Sequence, residues 1–226
     1  MIGKTKIILC SYNKGGVGKT TLAVHITGIL LEQKQGRILL VDCDARPDSW
    51  RFYMKRRPSD SEDFIKVNSR LSVFWNQPRN KEAKFQRIKK AQLLAYDYMV
   101  IDSDNPPEDT VIMINNLMPD LILIPLNKSQ GHSLEDIPDF LELIETVNAI
   151  TNLNPGIAYY PQVKIVPLGV SQEIIKRSLS KENCEIAPAM RDVQDEMVEA
   201  LGEKNYIWDY SSCEDLREYF ISLLEI

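Results

Sequence analysis

Five short stretches of the chain, residues 6–11, 37–42, 98–102, 121–126 and 163–168, are apolar and rich in β-branched residues. None shows the polar alternation of a strand with one face in water, so each reads as a strand covered on both sides. Apolar residues recur at helical spacing over 19–34, 82–95, 109–117, 134–150 and 172–179, and a closing helix is expected over 214–224. Pro106 and Pro107 stand just before one of these helices and Pro138 in the first turn of another, where proline costs least. Strands alternating with helices predict an α/β fold, a doubly wound, mostly parallel sheet with helices on both faces. The segment 55–63, KRRPSDSED, reads as an exposed connection. No internal repeat or low-complexity linker breaks the pattern, so residues 1–226 are expected to form one domain.

Composition narrows the function classes. Hydrophobic residues make up 44%, enough for a sizeable core. Lys and Arg number 27 against 32 Asp and Glu, a net charge of −5, which argues against a wholly basic nucleic-acid coat and leaves local basic patches open. Cys10, Cys43, Cys184 and Cys213 contain no C-x-x-C pair, which points to neither a zinc site nor a disulfide framework and fits a reducing cytoplasm. No leader-like start and no apolar run of about 18 residues is seen, so neither export nor membrane spanning is expected.

The candidate chemistry begins at the end of the first strand with Asn13-Lys14-Gly15-Gly16-Val17-Gly18-Lys19-Thr20-Thr21. A strand, a glycine-rich loop and a helix in that order form a phosphate cradle, because successive backbone N–H groups and the positive helix end converge on one anion. Gly15, Gly16, Val17, Gly18, Lys19, Thr20 and Thr21 are the expected nucleotide-binding residues, with Lys19 on the terminal phosphates and the Thr20 hydroxyl a magnesium ligand. Asn13 stands where the usual motif has its first glycine. Asparagine tolerates left-handed backbone angles, which would let the loop turn there.

The second lysine, Lys14, carries a resemblance. K-G-G-x-G-K-T-T is similar to the deviant phosphate-binding loop of the ParA/MinD superfamily of ATPases. That resemblance implies ATP and ADP as ligands with Mg2+, a nucleotide-sandwich homodimer, and a catalytic role for Lys14 at the partner's ATP, comparable to an arginine finger. Asp42-Cys43-Asp44 resembles the family's D-x-D motif, which implies Asp44 near the magnesium and the attacking water and Asp42 supporting it or capping the next helix. The tail Ala45-Arg46-Pro47-Asp48 departs from the family pattern: the usual proline has moved and Arg46 replaces glutamine. Residues 97–102, DYMVID, resemble a Walker B strand, with Asp102 on the magnesium through a water. The following Ser103-Asp104-Asn105-Pro106-Pro107 is one residue longer than the family pattern. Its Asp104 either orients water or, the favoured reading, caps the next helix. DLILIPL at 120–126 resembles a further family strand.

By the same resemblance the catalytic residues are Lys14, Lys19 and Asp44, and the metal ligands Thr20, Asp44 and Asp102. The partners implied are non-specific DNA and a small stimulating protein of ParB type. Two basic stretches are candidate DNA contacts, 79–90 with six basic residues, and Lys176 and Arg177 with Lys181. A membrane-positioning ATPase of MinD type is an alternative, disfavoured by the acidic end CEDLREYFISLLEI. A metabolic enzyme of dethiobiotin-synthetase type is another. His25 is expected to be packed or at the surface, His132 invites notice only by scarcity, and Cys10 and Cys43 are expected in the core. No cysteine pair suits an iron–sulfur reductase.

Overall fold

The computed structural model describes residues 4–76, 88, 94–128, 134–179 and 184–224. The basic stretch 79–90, the helix expected over 82–95, His132 and Lys181 lie wholly or almost wholly outside them. The strands are β1 (Lys6–Ser11), β2 (Ile38–Asp42), β3 (Phe64–Lys66), β4 (Leu71–Trp75), β5 (Tyr98–Ser103), β6 (Leu121–Asn127), β7 (Gln162–Leu168) and β8 (Glu185–Ile186). The helices are α1 (Lys19–Gln33), α2 (Asp48–Met54), α3 (Pro107–Leu117), α4 (Ile137–Asn152), α5 (Gln172–Ser178), α6 (Gln194–Glu203) and α7 (Leu216–Ser222). The strands form one sheet in the order β3-β4-β2-β5-β1-β6-β7-β8, parallel throughout except that β3 runs antiparallel to β4. All five expected strands are present.

Ile7, Leu9, Val41 and Ile101 face one side of the sheet and Ile8, Leu40, Val73 and Val100 the other, each group joining a separate buried cluster. Both faces are covered, which is why these strands show no polar alternation. The expectation missed β3, β4, β8, α2 and α6. LSVFW in β4 is itself an apolar, β-rich run of legible kind, whereas β8 has two residues and exists only because β7 lies beside it.

Helix α1 is buried over most of its circumference, from Thr21 to Leu30, because the sheet packs on one side and the C-terminal elements on the other. Gly28 permits that second contact: a Cβ there would lie 2.5 Å from the Tyr206 ring. At the far end, the Arg70 guanidinium donates to the carbonyls of Leu30, Leu31, Lys34 and Gly36, satisfying the helix's last acceptors from the turn before β4. Helix α3 starts at Pro107, two residues before the expected 109, so Pro107 opens the helix rather than preceding it, while Pro138 sits in the first turn of α4 as expected. Helix α7 begins at Leu216 rather than 214 because residues 210–216 are taken up by turns closing at Tyr210 and Cys213. Among the described residues, no helix is long and apolar enough to cross a membrane.

Candidate functional site

β1 lies between β5 and β6, where the strand order reverses, and the crevice beyond the strand C-termini at such a point is where α/β sheets bind ligands. The loop that leaves β1 at this point is 12–18. Its left-handed turns fall at Gly16 (φ 72°) and Gly18 (φ 108°). A Cβ on Gly18 would lie 2.4 Å from Leu168 Cδ1, so glycine is required there on two counts, backbone angle and space. Asn13 does not supply a left-handed turn: among the described non-glycine residues positive φ occurs only at Lys55, Met118 and Lys204. Gly16 and Gly18 do the turning, and the expectation for Asn13 is corrected.

Lys19 opens α1 with only 5% of its side chain exposed. Its ammonium is held by the Lys14 carbonyl and by Asp104 Oδ1 at 2.6 Å. Asp104 therefore does not cap the following helix, whose N-cap is Pro106. The extra residue after Asp102 puts a carboxylate against Lys19 instead.

Parallel pairing sets Asp42 of β2 beside Asp102 of β5, so the register itself brings two carboxylates to one sheet edge. Asp44 follows, and carboxylate oxygens of Asp42, Asp44 and Asp102 lie within 4.8 Å of one another. Asp42 is fully buried and accepts from Asp44 N at 3.1 Å and Trp50 N at 3.0 Å, so it secures the loop and the start of α2. Asp48, in the first turn of α2, pairs with Arg51 at 2.7 Å. Asp102 Oδ2 accepts from Ser49 Oγ at 2.6 Å, while its Oδ1 is buried with no hydrogen-bond partner. Asp44 Oδ1 accepts from Asp104 N at 2.6 Å, and its carbonyl from Trp75 Nε1 at 2.9 Å.

Crowding these acids out of water raises their proton affinity. Burial first, then Asp102 and Asp104, pushes Asp44 up to about 8. Burial also lifts Asp102 to about 6, with the Ser49 and Thr20 hydroxyls acting in the opposite sense. Asp42 is raised by burial and then by Asp102 and Asp44. An orphaned buried carboxylate oxygen among three convergent acids fits a hard divalent cation with oxygen ligands, and Thr20 lines one cavity with Asp44.

That cavity measures about 710 Å³. Gly16, Gly18, Lys19, Thr20, Asp44 and Asp104 are part of its polar lining. Leu168, Met190, Val193, Met197, Val198 and Leu201 supply its apolar lining, with Leu168 packed against Gly18. The apolar lining escaped sequence reasoning, since its residues come from β7, α6 and the segment between them and share no motif. Lys14 lies at the loop's rim, 43% exposed, with its ammonium 2.6 Å from Asp136 just before α4. Lys176 and Arg177 are exposed on α5. His25 is buried in the core, as are Cys10 and Cys43.

The model of the ATPase MipZ family matches residues 6–160. No curated protein sequence matches the chain. Among solved structures, an ATP complex of a Cyanothece McdA variant superposes with a TM-score of 0.73 at 17% identity, covering 99% of this chain and 96% of that one. A ParA family ATPase from Chlorobium tepidum gives 0.68 at 16% identity, covering 99% and 100%. The septum site-determining protein MinD from Pyrococcus horikoshii, complexed with Mg-ADP, gives 0.65 at 16% identity, covering 97% and 94%. At these identities the likeness is one of fold.

Proposed function

The chain belongs to the MipZ family of ATPases, within the ParA/MinD superfamily, and from that premise we propose a positioning ATPase that dimerises on MgATP, associates with non-specific DNA and hydrolyses its nucleotide slowly. The observation that carries the reading is one cavity lined both by the glycine loop, Lys19 and the acids Asp44 and Asp104 and by the apolar side chains of Leu168, Met190, Val193 and Leu201. A nucleotide matches that lining, with its phosphates over the amides of Gly15 to Thr21 and its base against the apolar side chains.

Thr20, Asp44 and Asp102 are the residues that hold Mg2+ in this reading. The ion would neutralise phosphate charge and polarise the terminal phosphoryl group. Asp44 orients the attacking water, and Lys19 holds the terminal phosphates. Lys14 crosses to the partner's nucleotide, where its charge meets the charge developing on the transferred group. The Lys14 to Asp136 pair is partly exposed, and pairs of this kind contribute about 0–1 kcal/mol, so leaving it costs little. Lys176 and Arg177, with Lys181, are the DNA contacts proposed, doubled by dimerisation. A small partner protein of ParB type times release. The name septum site-determining on one structural neighbour and ParA family on another support a positioning role.

The test combines three measurements on wild type and Lys14→Ala. Both should bind ATP with Mg2+ as monomers. Only wild type should form an ATP-dependent dimer that retards DNA at low salt and turns over. Lys14→Ala hydrolysing ATP at the wild-type rate would rule out the trans role. Wild type retarding DNA no better with ATP than with ADP would rule out the DNA cycle.

A further inference from the structure

Lys19 and Asp104 form a contact that the phosphate-binding role of this loop does not require. The ammonium is almost wholly buried, while Asp104 is 46% exposed and lines the same cavity. A lysine that is to meet phosphate oxygens thus already has an anion at 2.6 Å, supplied by the residue that lengthens the segment between Asp102 and Pro106. The backbone N–H of that same residue is bonded to Asp44 Oδ1 at 2.6 Å.

We propose that Asp104 is a specificity-determining residue, a built-in counter-ion that occupies the phosphate's place on Lys19 and makes nucleotide entry depend on an accompanying divalent cation. This rests on the nucleotide reading of the cavity. A bare triphosphate reaching Lys19 must displace the carboxylate, and the displaced carboxylate stays among the crowded acids Asp44 and Asp102, where a further negative charge is disfavoured. A nucleotide that arrives with Mg2+ brings the positive charge which that freed carboxylate and its neighbours lack. Asp104 then exchanges one cation for another. Bare nucleotide offers no such exchange and is rejected. Because the Asp104 N–H holds Asp44, movement of residue 104 also releases the Asp44 carboxylate, so the same event that admits nucleotide frees the acid assigned to water.

The experiment is calorimetric titration of ATP into wild type, Asp104→Ala and Asp104→Asn, each in Mg2+ and in EDTA. Asp104 is half exposed and caps no helix, so both variants should fold as wild type does. In EDTA the variants should bind ATP about tenfold or more tighter than wild type, the effect of removing a charge-assisted competitor. In Mg2+ the gain should be about threefold or less, so the ratio of the two dissociation constants narrows. Asparagine keeps the shape and drops the charge, so it should behave as alanine does. Variants that keep the wild-type ratio, or bind more weakly in both conditions, overturn the proposal. Wild type that fails to bind MgATP at all overturns the nucleotide reading and this inference with it.

Discussion

Helix α1 has buried titratable groups near it in two places, and they are satisfied to very different degrees. His25, in the helix, is fully buried and both ring nitrogens are used. Ile207 N donates to Nε2 at 3.0 Å, which leaves the proton on Nδ1 to be donated to Thr21 O at 2.7 Å. The ring stacks on Phe220 with centroids 4.6 Å apart and meets Trp208 edge-on at 5.3 Å. At the strand ends beside the helix's first turn, Asp42, Asp44 and Asp102 crowd together, and Asp102 Oδ1 has no partner. The contrast separates a structural polar group from one arranged for a ligand. A buried group with every partner present ties elements together, here α1 to the segment before α7, whereas like charges left short of partners are held in place by the fold around them.

The comparison can be broken from either side. The largest effect is expected at the satisfied group. His25→Ala removes a stacked ring and strands Ile207 N in the core, and should cost about 3–5 kcal/mol in urea denaturation. A loss under about 1 kcal/mol would show that the ring ties nothing together.

Acid should act on the same residue. Burial lowers His25 to about 4 from an ordinary value of 6.5. The unfolded chain therefore binds more protons than the folded one across that interval. The stability His25 confers is complete above about pH 6.5 and lost as pH falls through the window to about 4, a total of about 3 kcal/mol. Denaturation series at stepped pH on wild type and His25→Gln should show the slope in the first and its absence in the second.

The smallest effect, opposite in sign, belongs to the acids. Asp44 is raised in the folded state, so its contribution is best at low pH and is lost as pH rises through about 4 to 8. Asp44→Asn should gain about 1–2 kcal/mol in EDTA at about pH 8, with the gain shrinking near pH 5, while ATP turnover falls. A destabilised Asp44→Asn would place this carboxylate with His25 among the structural groups.

How much of this was legible follows from where each part is encoded. Residues 13–21 carry their chemistry locally, because a glycine loop between strand and helix defines its own geometry whatever else the chain does. The acids at 42, 44 and 102 were legible as strand-end carboxylates, since a strand's last residue reaches the sheet edge by construction. That Asp42 anchors α2 while Asp102 keeps an unpartnered oxygen depended on where Ser49 and Trp50 came to rest. Asp104 reads in the sequence as orienting water or, by preference, capping the next helix, and in the fold it answers the charge of Lys19, far away in sequence. Lys14 drew notice as a motif residue, but its contact with Asp136 links two loops that no pattern connects.

The sequence by itself determined the five strands β1, β2, β5, β6 and β7, most of the helices, the phosphate loop and the family, because hydrophobic period and glycine placement act over a few neighbouring residues. Only the tertiary structure decided which carboxylate meets Lys19, which buried group lacks a partner and which side chains supply the apolar lining of the cavity. Those outcomes depend on distances between segments far apart in the chain, and such distances are fixed only when the sheet register and the packing of the helices are set together.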